Sequence, residues 1–335
     1  MNLRLLEGVV PRLHRDALRR HLEEAPVLGH WIDDLAEGKV LVRALLDAEH
    51  AEEVVDHLDT HFGHTPDFRL LLLPVEATLP RPGPPPSPTP QAAAPPRGRI
   101  SREELYADVE PGADAGPNFL VLTGLATVVA VVGLLRSNPA VVIGAMVIAP
   151  LLGPILASSL AVTVGDGPLW RRAVRAGAVG TGLVLALSVA AGAILPVDPG
   201  LPEIASRTRA GFGDLVLALA AGAAGALSAT GGTGGGLIGV MVAVALLPPL
   251  VTAGLLAGSG HWADAGGAGL LFVANWVCLN LAGVITFLAK GVRPHRWWEA
   301  EKAKKAVRRS LATWGALLVL LALALAASRA LRWGG

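Results

Sequence analysis

The sequence predicts an α-helical polytopic membrane protein of about seven spans, built as a 3+3 inverted repeat and preceded by a soluble α+β ferredoxin-like (βαββαβ) domain. Three observations predict this class: long charge-free runs after residue 114, a segment that recurs 95 residues later, and alternating strand and helix patterns in about the first 75 residues. The composition agrees, since only 16% of the residues are charged, against about 25% in ordinary soluble domains.

The soluble domain is placed at residues 1–78 because this part of the chain has short amphipathic segments in a regular order. We expect the strand LRLLEGVV, a helix over Pro11–Glu24, strands HWIDDLA and KVLVRALL around Glu37-Gly38, a helix over Ala48–Phe62, and the strand FRLLLLPVE. The order βαββαβ is that of a ferredoxin-like domain.

A linker at residues 79–100 follows the soluble domain. It is dense in proline and has almost nothing to bury, which predicts an extended tether. At about 3.1 Å per residue it would reach roughly 60 Å. The soluble domain is therefore expected to contact its own membrane part or a neighbouring subunit.

The predicted spans are the charge-free runs that are long enough to cross about 30 Å of hydrocarbon. The first membrane repeat, 101–195, holds spans one to three, in the runs bounded by Asp114, Arg136, Asp166, Arg175 and Asp198. The second, 212–290, holds spans four and five in 49 charge-free residues divided at TGGTGGG, and span six before Lys290. Span seven, about Ser310 to Ser328, lies in the basic segment 291–335 and has no repeat partner.

The repeat is visible in IGAMVIAPLLGP at 143–154 and IGVMVAVALLPP at 238–249. At a shift of 95 residues, 13 of 49 aligned positions are identical over 118–166, and Met146 falls on Met241, the only methionines apart from Met1. Because three spans is an odd number, the second copy enters the membrane from the opposite side, which makes the repeat inverted. The alternative is a single bundle with accidental similarity.

Orientation follows from the basic residues near the span ends, since short loops rich in Lys and Arg stay cytoplasmic. Arg171, Arg172 and Arg175 follow span two, and the basic run between Lys290 and Arg309 follows span six. Both place the N-terminal domain of this multi-pass protein in the cytoplasm. The basic run suits anionic lipid, and we expect no nucleic acid as a partner.

Several motifs recur in the order that one membrane-protein family shows. They are SNPAVVIGAMVIAPLLGPILASSLAVTVGD, EIASRTRAGFGDLVLALAAGAAGA and GVMVAVALLPPLVTAG. Over about residues 101–290 the chain resembles the prokaryotic "uncharacterised hydrophobic domain" membrane proteins, domain-of-unknown-function family 389. The resemblance implies a multi-span inner-membrane protein and leaves its biochemical role open.

Prolines in the second span of each copy are the main candidates for a functional site. Pro150 and Pro154 around Gly153, and the pair Pro248-Pro249, predict helices that break or kink near the membrane centre and free backbone groups. Interrupted helices at equivalent places of an inverted repeat are typical of a substrate site. The other candidates for a substrate or ion pathway are the small and polar residues Asn138, Pro139, Gly144, Ser158, Ser159, Gly239, Thr252, Asn275 and Asn280. The alternative is that these residues only shape helix packing.

No charged residue or histidine falls at the centre of a predicted span, which argues against proton coupling through a buried titrating group. The spans contain no paired acids, and the chain shows no metal-ligand spacing and no nucleophile motif, so we expect neither an enzyme nor a cofactor. TGGTGGG lacks the Lys-Ser or Lys-Thr pair of a phosphate-binding loop. His57, His61 and His64 are weak candidates for a metal-sensing group, against the alternative of a solvated helix.

Two function classes remain. The first is a transporter or channel for an ion or small solute, regulated by the cytoplasmic domain. The second is a membrane-anchored sensor or an oligomeric scaffold, in which the soluble domain is the active part. In both cases the Gly and Ala content of the spans favours a homo-oligomer in the lipid bilayer.

Overall fold

The computed structural model is mostly helical and describes residues 3–65, 68–75, 78, 100–231, 236–293 and 297–333. It divides into two compact units, Met1–Leu105 and Tyr106–Gly335. The predicted linker lies outside the described residues except at residue 100. Residues 232–235, in the middle of the TGGTGGG run, also lie outside them.

The first unit contains a four-stranded antiparallel sheet and two helices. The strand order is β2-β3-β1-β4, and the chain order βαββαβ is the predicted one. The predicted second helix has the same bounds in the structure, while the predicted first helix begins with a short 3-10 turn at Arg12–His14. The elements are β1 (Leu3–Pro11), α1 (Arg15–Glu24), β2 (Gly29–Asp34), β3 (Lys39–Asp47), α2 (Ala48–Phe62) and β4 (Arg69–Val75).

The core of this unit forms on one face of the sheet because buried residues alternate along its central strands. In β1 and β3 the buried positions pair across the strands, as in Leu6 with Ala44 and Val10 with Val40. Leu18 of α1 and Leu58 of α2 complete the same buried cluster. Both helices therefore cover this face of the sheet.

The second unit is helical. Its boundary with the first unit falls inside α3 (Arg102–Val109), which is followed by a 3-10 turn at Glu110–Ala113. The remaining helices are α4 (Pro117–Leu135), α5 (Pro139–Ile148), α6 (Leu152–Val164), α7 (Gly167–Ile194), the short α8 (Pro202–Ala205), α9 (Phe212–Gly231), α10 (Gly236–Gly258), α11 (Trp262–Ala289) and α12 (Trp297–Trp333).

Four of these helices, α4, α7, α9 and α11, are long and apolar enough to cross a membrane. The pair α5 and α6 makes a fifth candidate, bent by 51° at a short break. By length and composition, the described helices are thus consistent with a multi-pass membrane protein. Helices α10 and α12 occupy the places of predicted spans five and seven, and the number of seven spans stays a prediction.

Two predicted details of the spans are wrong. Helix α7 begins at Gly167, so Arg171, Arg172 and Arg175 lie in its first turns and not in a loop. Helix α10 continues through Pro248 and Pro249, so the break expected in span five is not there. Neighbouring helices can make an interior proline tolerable in a buried apolar helix, and both prolines are buried.

Helix bounds recur along the second unit at the spacing of the sequence repeat. Helices α7 and α11 both have 28 residues, and each end of α11 lies 95 residues after the matching end of α7. Helices α4 and α9 begin 95 residues apart as well. Gly165 and Gly260, one residue each from the two copies, share the left-handed conformation with φ of 79° and 85°.

The helices pack through small residues. Helix α7 packs on α10, and α6 packs on α11. A side chain at Gly192 of α7 would overlap the carbonyl oxygen of Leu255, and one at Gly258 of α10 would overlap that of Val189. Large apolar side chains such as Val121 and Val216 are exposed, at 60% and 66%, which is the surface that lipid would cover.

Candidate functional site

The break between α5 and α6 lies at Ala149, Pro150 and Leu151. Proline disfavours the helical conformation of the residue before it, and Ala149 is extended, with φ −71° and ψ 119°. Leu151 returns to the helical region and α6 begins at Leu152. Pro154 lies in the first turn of α6, where its missing N–H group disturbs no helical hydrogen bond.

A break of this kind leaves backbone groups without helical partners. The last carbonyls of α5 and the first amides of α6 have no partner within their own helices. In a membrane such groups are tolerated where they are buried in protein or line a wet cavity. The structure therefore has the break that the sequence predicts at Pro150, and a substrate site there stays a prediction.

A cleft of about 450 Å³ lies beside this break. It lies between the segment that precedes α4, the start of α4 and the two ends at the break. Gly112 and Gly153 approach so closely that a methyl group at Gly153 would lie 2.8 Å from the Cα atom of Gly112. The residues that line it are Pro111, Gly112, Asp114, Gly116, Asn118, Phe119, Leu122, Val147, Ala149, Pro150, Leu152 and Gly153.

A buried polar cluster joins α6 to α11 beyond the break. The Oγ atom of Ser158 lies 2.5 Å from Asn280 Oδ1, and the Asn280 amide donates to the carbonyl oxygen of Trp276 at 2.9 Å. The Ser159 hydroxyl donates to the backbone oxygen of Asn280 at 3.4 Å. Ser158, Ser159 and Asn280 are 7%, 0% and 4% exposed, so these bonds form away from solvent.

A second polar cluster lies where the chain enters the helical region. The hydroxyl of Tyr106 donates to Asp166 Oδ2 at 2.7 Å, while Asp166 Oδ1 accepts from the backbone N–H of Leu169 and caps α7. Burial, and then the hydrogen bond to Asp166, raises the pKa of Tyr106 to about 12. Asp166 is thus an interfacial helix cap.

Arg172 closes this second cluster with two carboxylates. It binds Asp114 through Nη2 and Nε at 2.6 and 3.0 Å, and Glu110 through Nη1 at 2.8 Å. The hydrogen bonds from Arg172 hold the pKa of the Asp114 carboxyl below its usual value. The segment before α4 is therefore fixed to the first turns of α7.

Two comparisons with known proteins agree. The family model described as "Domain of unknown function (DUF389)" matches residues 146–281. The "Uncharacterized protein MJ0678" of Methanocaldococcus jannaschii is 32% identical over 322 residues, which cover 96% of this chain and 98% of that protein. The chain belongs to the DUF389 family. No solved structure matches it.

The DUF389 match includes the break at Pro150, Ser158, Ser159 and Asn280, and it confirms the resemblance seen in the sequence. The match begins at Met146, so α4 and the segment before it lie outside it. The cleft is therefore formed partly by matched residues and partly by residues that the family model leaves out.

Some predicted site residues of this DUF389 protein lie away from the break or act locally. Asn138 and Pro139 are exposed at the start of α5, where Asn138 Oδ1 caps the helix by accepting from Val141 N at 3.2 Å. Gly144 is half-buried on α5. Gly239 lies in the part of α10 where only the backbone is described.

The remaining predicted residues are buried in the helices. Pro248, Pro249 and Thr252 are buried on α10, and Thr252 Oγ1 has no hydrogen-bond partner among the described residues. Asn275 is 5% exposed on α11. In the first unit, His57 and His61 lie beside His21, while His64 is exposed and outside that group.

The sequence analysis did not name several residues of the two clusters and the cleft as candidates, among them Tyr106, Gly112, Arg172 and Trp276. Tyr106 is the only tyrosine of the chain, which was a signal that could have been used. Arg172 was read only as a topology marker. Gly112 takes part through its close approach to the backbone of Gly153, and Trp276 through its carbonyl oxygen. The residue type at neither position indicates this role.

Proposed function

We propose that the membrane unit of this DUF389 protein is a transporter or channel for a small solute or ion, whose pathway passes the break in span two. The observation that supports this most directly is the conjunction of the break at Pro150, the cleft beside it and the buried Ser158–Asn280 pair. Backbone groups freed in a membrane, with a cleft next to them, are the usual surroundings of a transported solute.

Because α10 is continuous, the pathway uses one broken helix and not two. Beyond the cleft, α11 packs on α6, where Asn280 bonds to the Ser158 hydroxyl and to the Trp276 carbonyl. The described helices offer hydroxyls, amides and carbonyls near the break and no charged side chain within α4, α5 or α6. Asp114, the carboxylate in the lining of the cleft, is bound by Arg172. This lining therefore suits a neutral polar solute, or an ion bound by oxygen atoms alone.

Within the same proposal, the two copies form an inverted repeat in a seven-span protein. Two close contacts support it. Ser188 of α7 faces Gly254 of α10, and Ser159 of α6 faces Gly283 of α11. At the repeat shift of 95 residues, Gly254 is the counterpart of Ser159 and Gly283 is the counterpart of Ser188. The two contacts therefore join the same pair of equivalent positions, with the first and second copies exchanged. A two-fold relation between the copies produces such reciprocal pairs.

The soluble unit completes the proposal as a cytoplasmic ferredoxin-like regulatory domain. Its order βαββαβ, with the antiparallel strand order β2-β3-β1-β4, supports this assignment. The membrane is the inner membrane, and the assembly is a homo-oligomer. Cross-linking in native membranes would test the oligomer, and a protease added to sealed inverted vesicles would test the side on which the domain lies.

The pathway is tested by flux in liposomes that contain the full-length protein, screened against inorganic ions and small polar metabolites. Ser158→Ala leaves Asn280 Oδ1 without its hydroxyl partner, and Pro150→Ala removes the residue that ends α5. For any solute that wild type transports, we expect each variant to lower the flux by about tenfold or more, because a lost partner for a buried polar group disturbs its surroundings by about 1–3 kcal/mol.

Ser188→Ala is the matched control, since Ser188 is also buried and its hydroxyl bonds to Val184 O of its own helix at 2.6 Å. Pro202→Ala, at the start of the short α8, controls for proline replacement. Wild-type flux in Ser158→Ala and Pro150→Ala, with both variants folded, would show that the pathway does not pass the break. No flux of any solute by folded wild type would favour the second candidate.

That second candidate is a membrane-anchored sensor whose soluble domain is the active part. The specific observation in its favour is the group of three histidines on the helices of that domain. It predicts that the soluble unit binds a ligand while the membrane unit moves no solute.

A further inference from the structure

Three histidines of the first unit come together on the outer side of its helices. His21 lies on α1, and His57 and His61 lie one turn apart on α2. Their ring centroids are 4.4 to 4.7 Å apart in all three pairs. His57 Nε2 lies 2.8 Å from His21 Nδ1. One nitrogen from each ring can be chosen so that all three lie within 4.8 Å of one another.

The hydrogen bonds of His61 decide which of its nitrogens is available. His61 Nδ1 lies 2.8 Å from the carbonyl oxygen of His57. A carbonyl oxygen only accepts, so Nδ1 carries the proton and Nε2 keeps its lone pair. Metal-binding histidines typically donate their second N–H to a backbone carbonyl or a carboxylate in this way, which fixes the ring.

The charge state of the group also suits a metal ion. Three imidazoles in contact cannot all be protonated without mutual repulsion. A neutral imidazole is the form that binds a metal.

We propose that His21, His57 and His61 form a binding site for one divalent transition-metal ion of the zinc class, which joins α1 to α2. Three nitrogen ligands select zinc, copper, nickel or cobalt over magnesium and calcium, which prefer oxygen. Zinc–nitrogen distances of about 2.0–2.1 Å require the three rings to rotate from their present positions, in which the chosen nitrogens lie within 4.8 Å of one another. His57 and His61 are exposed, so the ion reaches the site from solvent and a water molecule completes its coordination.

This site is independent of the proposed transport pathway, since it lies entirely in the first unit. It gives the soluble domain a ligand of defined chemistry. An ion that holds α1 and α2 together stabilises the folded domain in proportion to its occupancy.

The test uses the tag-free full-length protein in detergent. Co²⁺ is the spectroscopic probe, because nitrogen ligands at a tetrahedral Co²⁺ ion give visible absorption bands, and Zn²⁺ competes for the same site. We expect one equivalent of Co²⁺ to bind and to be displaced by Zn²⁺. The variants His57→Ala and His61→Ala should weaken binding by at least about tenfold each. His64→Ala is the matched control, a nearby exposed histidine outside the group, and should bind as wild type does.

A second measurement keeps the proposal testable if a variant misfolds. Zn²⁺ should raise the thermal midpoint of the soluble unit in wild type and in His64→Ala, but not in His57→Ala/His61→Ala, and circular dichroism checks that each protein is folded. Binding should weaken as the pH falls below about 6, where imidazoles take up protons. Equal binding by wild type and the double variant, or equal loss in His64→Ala, would overturn the proposal.

Discussion

Pro150 shows how one residue decides the shape of a span. The position equivalent to Pro150 in the second copy is Ala245, while Pro154 has its counterpart in Pro249. The copy with Pro150 is broken, and the copy with Ala245 is continuous although it carries two prolines. The break therefore follows the proline that makes Ala149 extended, and not the proline that both copies share.

Tyr106 offers a direct test of the polar cluster at its hydroxyl, because the chain has no other tyrosine. Its phenolate absorbance should appear with a midpoint near about 12. The pKa of Tyr106 is raised in the folded protein. Its contribution to the free energy of unfolding is therefore complete below the unfolded pKa of about 10 and is lost as the pH rises through the folded pKa. Spectrophotometric titration measures the midpoint.

Asp166→Asn should move the midpoint of Tyr106 down towards 10, since the charge that opposes the phenolate is gone while the burial remains. Asn is also a good helix cap, so α7 should be preserved. Asp198→Asn, an exposed residue elsewhere in the same unit, should leave the midpoint unchanged. A midpoint of about 10 in wild type would contradict both the burial of Tyr106 and its hydrogen bond to Asp166.

At the scale of elements, the contact between α7 and α10 depends on backbone approaching backbone. Gly192 touches the carbonyl of Leu255, and Gly258 touches that of Val189. Lipid chains are as apolar as leucine, so helices in a membrane are held together by close packing of small residues. This contact joins the third helix of one copy to the second helix of the other.

Gly192→Ala should lower the stability of the membrane unit by about 1–3 kcal/mol, because its methyl group overlaps Leu255 and pushes α7 from α10. A fluorescence-monitored thermal midpoint in detergent measures the loss. Gly182→Ala is the control on the same helix: nothing lies within 4 Å of the added methyl group, so the change should be neutral or stabilising by up to about 1 kcal/mol. Equal midpoints for the two variants would refute the close contact.

Elements with local signals could be predicted from the sequence. The bounds of α2 follow from its amphipathic pattern and from Asp47, whose side chain accepts from Glu49 N at the helix start. The start of α7 was placed too late because Arg171 and Arg172 were expected outside the helix, whereas their side chains extend from its first turns. Nothing in the sequence near Pro248 and Pro249 indicates that the helix continues through them, since this depends on the helices packed around α10.

At the scale of the whole molecule, the sequence predicts a repeat but not the contacts between distant helices. Ser158 and Asn280 are 122 positions apart, and His21 is 36 positions from His57. Only the packing of helices brings such residues together. Ser158, Asn280 and His57 were candidates from the sequence because of their residue types. Their contact partners could not be predicted, because these depend on how the helices pack.

The relation between the copies predicts a specific rescue. Gly254→Ser alone should destabilise the membrane unit by about 1–3 kcal/mol, because the new side chain meets Ser188. Adding Ser188→Gly should recover most of that loss, since the α7–α10 contact then has the same residues as the Ser159–Gly283 contact. Thermal midpoints of the two single variants and the double variant measure the coupling. Additive effects without rescue would count against the equivalence of the two contacts.

The bend between α5 and α6 also sets the electric character of the site. A helix carries roughly half a negative charge at its C-terminal end and half a positive charge at its N-terminal end. The break places the C-terminal end of α5 and the N-terminal end of α6 three residues apart. Because these two partial charges have opposite signs, their fields cancel far from the break. Each acts separately only on a group that lies close to it. Such a place discriminates little by net charge and favours a dipolar, uncharged group that both accepts and donates hydrogen bonds.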